Sequence, residues 1–226
     1  MELSTDLRIT EIAGDFWIDT IILTMNNLNW KKILWRTAAG IFIVYVALVI
    51  IRIPHFWNLD KTNEQVAKIH ATKLTLDDVL GKNLPPDPGA EADKTIQGID
   101  ANGNGIRDDV ELAIFKEYPN SAKTRAVLLQ YALALQMETI QPIVNTETVT
   151  ETIREESRAF VCIGDIVPRE DSKKFDEQTD LLTKFVKERQ LNTEERSKFR
   201  TAFYEKVGSY ASLDRVCDID YSTLLN

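Results

Sequence analysis

Ser121-Ala-Lys-Thr-Arg125-Ala126-Val127-Leu128-Leu129-Gln130-Tyr131-Ala132-Leu133-Ala134-Leu135-Gln136-Met137-Glu138-Thr139-Ile140-Gln141 is the stretch on which the fold turns. Ala126, Val127, Leu128, Leu129, Tyr131, Leu133, Leu135 and Met137 surround most of a helical circumference, so such a helix must be enclosed on all sides. The enclosure is either lipid or protein. Gln130 and Gln136 interrupt the apolar run, which is also shorter than the roughly 20 residues a spanning helix needs. The segment therefore belongs at the centre of a soluble helical domain.

The flanking sequence supplies the helices to enclose it. Upstream, Val110, Ile114 and Phe115 share one face of a helix that starts near Asp109 and closes at Pro119-Asn120. Downstream, Asn145 or Thr146 caps a helix to about Ile163, with Val149, Ile153 and Phe160 inward and Glu151, Arg154, Glu155 and Arg158 outward. A further helix follows Pro168, from about Asp171 to Arg189, burying Phe175, Leu182, Phe185 and Val186. Thr193-Glu-Glu195 starts a last one carrying Phe199, Phe203, Val207 and Tyr210. No stretch alternates as a strand would, and no repeat of solenoid period occurs. The expected fold class is all-α: an N-terminal transmembrane helix, a linker, then a bundle of about five helices.

Ile33 to Ile51, ILWRTAAGIFIVYVALVII, is long enough to cross a hydrocarbon core and has no polar stripe. Trp30, Trp35, Phe56 and Trp57 flank it as interfacial aromatics do. Lys31, Lys32 and Arg36 outnumber Arg52 and Lys61, which places the N-terminus in the cytoplasm by the positive-inside rule. No A-x-A-like cleavage site follows, so the segment is expected to remain as an anchor. Met25 opens MNNLNWKKILWR, the basic-then-apolar profile of a signal anchor. Phe16-Trp17-Ile18 and Ile21-Ile22-Leu23 fit a short interfacial helix. The expected organisation is a cytoplasmic segment 1–32, a transmembrane helix 33–53, a stalk and Pro-rich linker 54–95, and an extracytoplasmic domain 96–226. Within the stalk, Thr75 to Gly81 has the composition of one capped helical turn.

The 226 residues carry a formal net charge of -8, and the five basic and five acidic groups before residue 58 cancel, so the acidic excess lies after the span. Basic side chains are interleaved with acidic ones, which excludes a phosphate-backbone surface and hence nucleic acid as a partner. Cys162 and Cys217 are the two cysteines. An oxidising compartment permits their pairing; the alternative is two small buried apolar side chains. His55 and His70 lack the spacing of zinc ligands.

Between linker and first helix stands Asp100-Ala-Asn102-Gly-Asn104-Gly105-Ile106-Arg107-Asp108-Asp109-Val110-Glu111. Its spacing sets Asp100, Asn102, Asn104, the Ile106 carbonyl, Asp108 and Glu111 around a turn at Gly105. These are the oxygens a hard cation of calcium's size needs. Taken only as local structure, Asn102-Gly-Asn104-Gly is a turn former and Asp108-x-x-Glu111 a capping box, which leaves Asp100 without a role.

The run resembles an EF-hand loop. That resemblance implies calcium held by Asp100, Asn102, Asn104, Ile106, Asp108 and Glu111. Two departures stand out: the eighth position, usually aliphatic, is Arg107, and no second loop exists to pair with this one. The wider stretch from LPPDPG through IDANGNGIRDDVELAIFKEYPNSAKTRAVLLQYALALQ is similar to uncharacterised bacterial single-pass membrane proteins with N-G-[ND]-G-[IV]-R-D-D-V-E after an N-terminal anchor. That resemblance implies no activity, only the architecture of anchor, calcium-like loop and helical domain. The span and its charge bias lead to the expectation of a bacterial cytoplasmic membrane protein with its C-terminal domain extracytoplasmic and an unidentified protein partner in the envelope.

No G-x-S-x-G, H-E-x-x-H, P-loop or dinucleotide fingerprint is present. Adjacent acids such as Glu155-Glu156 diverge on a helix, so no catalytic carboxylate pair is visible. The expectation is a non-enzymatic structural or interaction module stabilised by calcium. The alternatives are an envelope hydrolase whose site is assembled from distant residues, and a metal-free scaffold.

Overall fold

The computed structural model describes residues 29–208 and 217–224. The interfacial helix expected around Phe16 to Leu23 and the inward-facing Tyr210 lie outside the described residues. Two compact units divide between Trp57 and Asn58. Every regular element among the described residues is helical.

In the first unit, helix α1 (Trp30–Ala71) begins just before the predicted span and runs on into the second unit. Ile41, Phe42, Ile43, Val44 and Tyr45 are each 60–71% exposed. An apolar helix surface left open to this degree is what a lipid environment covers. Among the described residues this is the one helix long and apolar enough to cross a membrane.

The second unit is the bundle. Its elements are the rest of α1, then α2 (Leu76–Leu80), a 3-10 turn at Gly89–Asp93, α3 (Asp108–Glu117) and α4 (Ala122–Ile140). They continue with α5 (Thr146–Ile166), α6 (Ser172–Gln190), α7 (Glu194–Tyr204) and a 3-10 turn at Tyr221–Thr223. Helix α4 is buried without a break from Arg125 to Glu138 and packs against α2, α3, α5, α6 and α7. Each of its two glutamines is held by a hydrogen bond, although Gln130 Nε2 has no partner among the described residues. Gln136 donates to the Gln97 carbonyl at 2.7 Å, and Gln130 accepts from the Asp218 amide at 3.0 Å.

Side-chain caps fix the helix starts. Ser121 accepts from Thr124, Asn145 and Thr148 form a capping box, Asp171 accepts from Lys173 and Lys174, and Thr193 accepts from Arg196. Each is worth about 1 kcal/mol. The single turn at Thr75 is present, with an Asp78 capping box and left-handed Gly81 at its end.

Residues 58–95, within the 54–95 expected to form a stalk and Pro-rich linker, contribute Ile69, Leu74 and Val79 to the core. Their apolar positions are too sparse to announce a buried face. Helix α5 is also turned from the expected orientation. Phe160 is 44% exposed, whereas Glu155 and Arg158 are buried. Its inward face is set by Val149, Thr152, Ala159, Cys162 and Ile163. The long charged residues are accommodated there by pairing with one another and with Asp218. Cys162 and Cys217 form a disulfide that ties the C-terminal segment to α5.

Candidate functional site

The Asp100–Glu111 loop enters α3, and its backbone closes around the first residue. Asp100 Oδ1 accepts from the amides of Gly103 at 2.8 Å and Asn104 at 3.2 Å, and Oδ2 accepts from Gly105 at 2.9 Å. Three converging amides require a tight turn. Gly103 and Gly105 supply it with φ of 73° and 83°, a region that L side chains avoid. At Gly105 the space is also taken, since a Cβ would stand 2.8 Å from Leu133 Cδ1 of the central helix.

At the other end of the loop, Glu111 is 1% exposed on the first turns of α3. Asn102 Nδ2 donates to Glu111 Oε2 at 3.1 Å and to the Asn83 carbonyl at 2.9 Å. Burial pushes the Glu111 carboxyl up to about 7, the Asn102 hydrogen bond opposes it, and the nearby charges of Asp78 and Asp108 add to the rise. Asn104 Oδ1 accepts from the Ile106 amide at 2.8 Å. Asp108 is turned to the Ala101 amide, which reaches its two oxygens at 3.0 and 3.1 Å; burial raises its pKa as well.

The loop thus joins Asn102 to Glu111 and winds the turn around Asp100, while Asp108 faces the loop's own backbone. Among the described residues no three His, Cys, Asp or Glu side chains converge as a metal centre. A cation here would depend on amide and carbonyl oxygens from Asn102, Asn104 and Ile106 besides carboxylates. Calcium, which takes six to eight mixed oxygen ligands, tolerates such a set; magnesium, with its stricter octahedral shell, suits it less.

Arg107, the residue that departs from the EF-hand pattern, is fully buried and points out of the loop. Its guanidinium pairs with Asp109 at 2.5 and 2.7 Å and donates to the carbonyls of Arg189 at 2.6 Å and Gln190 at 3.1 Å. Those carbonyls close α6, where a helix presents unsatisfied acceptors and partial negative charge. An aliphatic residue at this position would pair with a second loop; in this chain the position anchors the loop to a helix end.

A second polar cluster has no signal in the sequence. Arg200 on α7 pairs with Glu138 of α4 at 3.0 Å and Glu156 of α5 at 2.7 Å, and Tyr204 donates to Glu156. Tyr131 also donates to Glu156, at 3.2 Å. Burial and the Glu156 charge push the Glu138 carboxyl up to about 8, against the pull of Arg200. Burial likewise raises Tyr131 and Tyr204, with Glu156 adding to both. These residues come from three helices and meet only on folding. The carboxylates are bridged by one guanidinium, which holds α7 on the bundle, and Glu156, Arg200 and Tyr204 line an open cavity of about 800 Å³ beside Lys187 and Glu205.

The chain matches no protein-family model, no curated protein and no solved structure. Its functional reading rests on the geometry of the Asp100–Glu111 loop.

Proposed function

We propose that the chain is a membrane-anchored helical module of the bacterial envelope, its bundle outside the cytoplasm, in which the Asp100–Glu111 loop holds calcium as a folding ligand. The bundle would serve as a structural or interaction module for a protein partner. The observation that carries the reading is the buried Glu111 carboxylate met by the Asn102 amide inside a loop already wound around Asp100. A buried carboxylate answered by the amides of Asn102 and Asn104 and pushed up in pKa by burial is under-compensated, and a divalent cation would offset that cost. Asp100, Asn102, Asn104, the Ile106 carbonyl and Glu111 would hold the ion, with Asp108 acting through a water as the ninth loop position commonly does.

Three formal charges and two amides fit an affinity on the order of 10⁻⁴ M, that of extracellular modules. Calcium at millimolar levels would keep such a site filled, so the ion would act as structure. Calorimetric titration of the full chain in non-ionic detergent micelles tests this. Saturable calcium heat that disappears in Asp100→Ala supports the reading; no heat in the unaltered chain overturns it.

A further inference from the structure

Where the end of α1, helix α5 and the C-terminal segment meet, a cavity of about 450 Å³ is lined by His70, Lys73, Arg154, Glu155, Arg158 and Asp218, with Cys217 at its wall. Its charges are layered. The carboxylates lie deep, with side chains 4% exposed at Glu155 and 2% at Asp218. The cations lie outside them, at 40% for Lys73, 20% for Arg154 and 8% for Arg158.

Each cation has carboxylate partners. Arg158 pairs with Glu155, and with Asp218 at 2.7 Å. Lys73 stands 3.2 Å from Glu155 and 3.7 Å from Asp218, and Arg154 pairs with Glu151 at 3.2 Å. The ring nitrogens of His70 face Glu151 at 3.0 Å and Glu155 at 3.2 Å. The Asp218 carboxylate is itself located by the Leu74 amide at 3.0 Å and by the disulfide one residue away. Burial acts to raise Glu155, but Arg158 and Lys73 outweigh it and hold that carboxylate in its charged form.

We propose that this cavity binds a small ligand through a phosphate-type oxyanion. An incoming dianion meets ammonium and guanidinium groups before it meets the carboxylates. Those groups are already oriented, so little side-chain entropy is lost on binding. Guanidinium forks suit the oxygens of a phosphate, and the cavity has room for a phosphorylated small molecule, since ligand pockets run from about 300 to 1,000 Å³. The same chemistry is offered by a soluble phosphate monoester and by a phosphomonoester lipid headgroup.

The test is calorimetric titration of the full chain in non-ionic micelles, without calcium, using inorganic phosphate and glycerol 3-phosphate as probes. Saturable binding in the millimolar range or tighter is expected, weakened about tenfold in Lys73→Gln and in Arg154→Gln, with Lys187→Gln unchanged. Both altered residues are partly exposed, so helix content and melting should be kept, and each variant is compared on both. Competition by phosphatidate doped into the micelles assigns the site to a headgroup, and its absence to a soluble ester. No saturable heat with either probe, or equal affinity in all three variants, overturns the proposal.

Discussion

Arg107 closes the carboxyl end of α6 through Gln190, donating from Nη1 to its carbonyl at 3.1 Å. This contact binds the candidate calcium loop to a helix 83 residues away in sequence. Replacing Arg107 by leucine would restore an EF-hand-like residue at that position and remove the anchor. The exchange leaves Asp109 and the α6 carbonyls without their donor in a buried setting, a cost of about 3 kcal/mol. Urea denaturation of Arg107→Leu should show that loss, and an unchanged midpoint would refute the anchoring role.

Glu111 makes calcium binding depend on pH. Its carboxyl is pushed up to about 7 without the ion, and the ion requires it deprotonated. Calcium affinity should therefore rise as pH increases from about 6 to about 8, with proton release on binding. Titration calorimetry in buffers of different ionisation enthalpy measures that release; identical heats in all buffers at pH 7 would contradict it.

Glu138 makes stability depend on pH. Its folded value is about 8 against 4.5 for the free side chain, so the folded state binds the proton more tightly. The associated stability is complete below about 4.5 and is lost as pH rises through about 8. Glu138→Gln stays neutral and can still accept from Arg200. The melting temperature of the variant should fall less between pH 5 and pH 8.5 than that of the unaltered chain, roughly in line with the lost proton linkage. Parallel pH profiles would count against the shift.

The disulfide between Cys162 and Cys217 spans a sequence separation of 55. By the chain-entropy relation it stabilises the fold by about 4 kcal/mol. Reduction, or replacement of both cysteines by serine, should lower the urea midpoint accordingly while leaving α4 and its neighbours helical. Equal midpoints before and after reduction would contradict this.

The bundle was legible because α4 announces itself: an apolar circumference from Ala126 to Met137 admits only a central position. The helix starts were legible too, since Asn145, Asp171 and Thr193 are cap residues with local partners. The contribution of residues 58–95 was not, because Ile69, Leu74 and Val79 stand singly among polar neighbours and find their core only in three dimensions. The inward turn of Glu155 and Arg158 escaped for a similar reason: a charged pair looks like a solvated face until Asp218 arrives from 60 residues downstream of Arg158. In the loop, the motif located Asp100, Asn102 and Glu111 and their shared turn. The role of Arg107 depended on a helix end that no local pattern could indicate.

The most direct test of calcium as a folding ligand is the melting temperature of the full chain in micelles, with about 2 mM calcium and with chelator, beside Glu111→Gln. An ion bound tenfold below its free concentration adds about 1.4 kcal/mol, which for a domain of this size is a rise of about 3–6 °C. The account predicts that rise in the unaltered chain and its absence in Glu111→Gln. Identical melting with calcium and with chelator in the unaltered chain would contradict it.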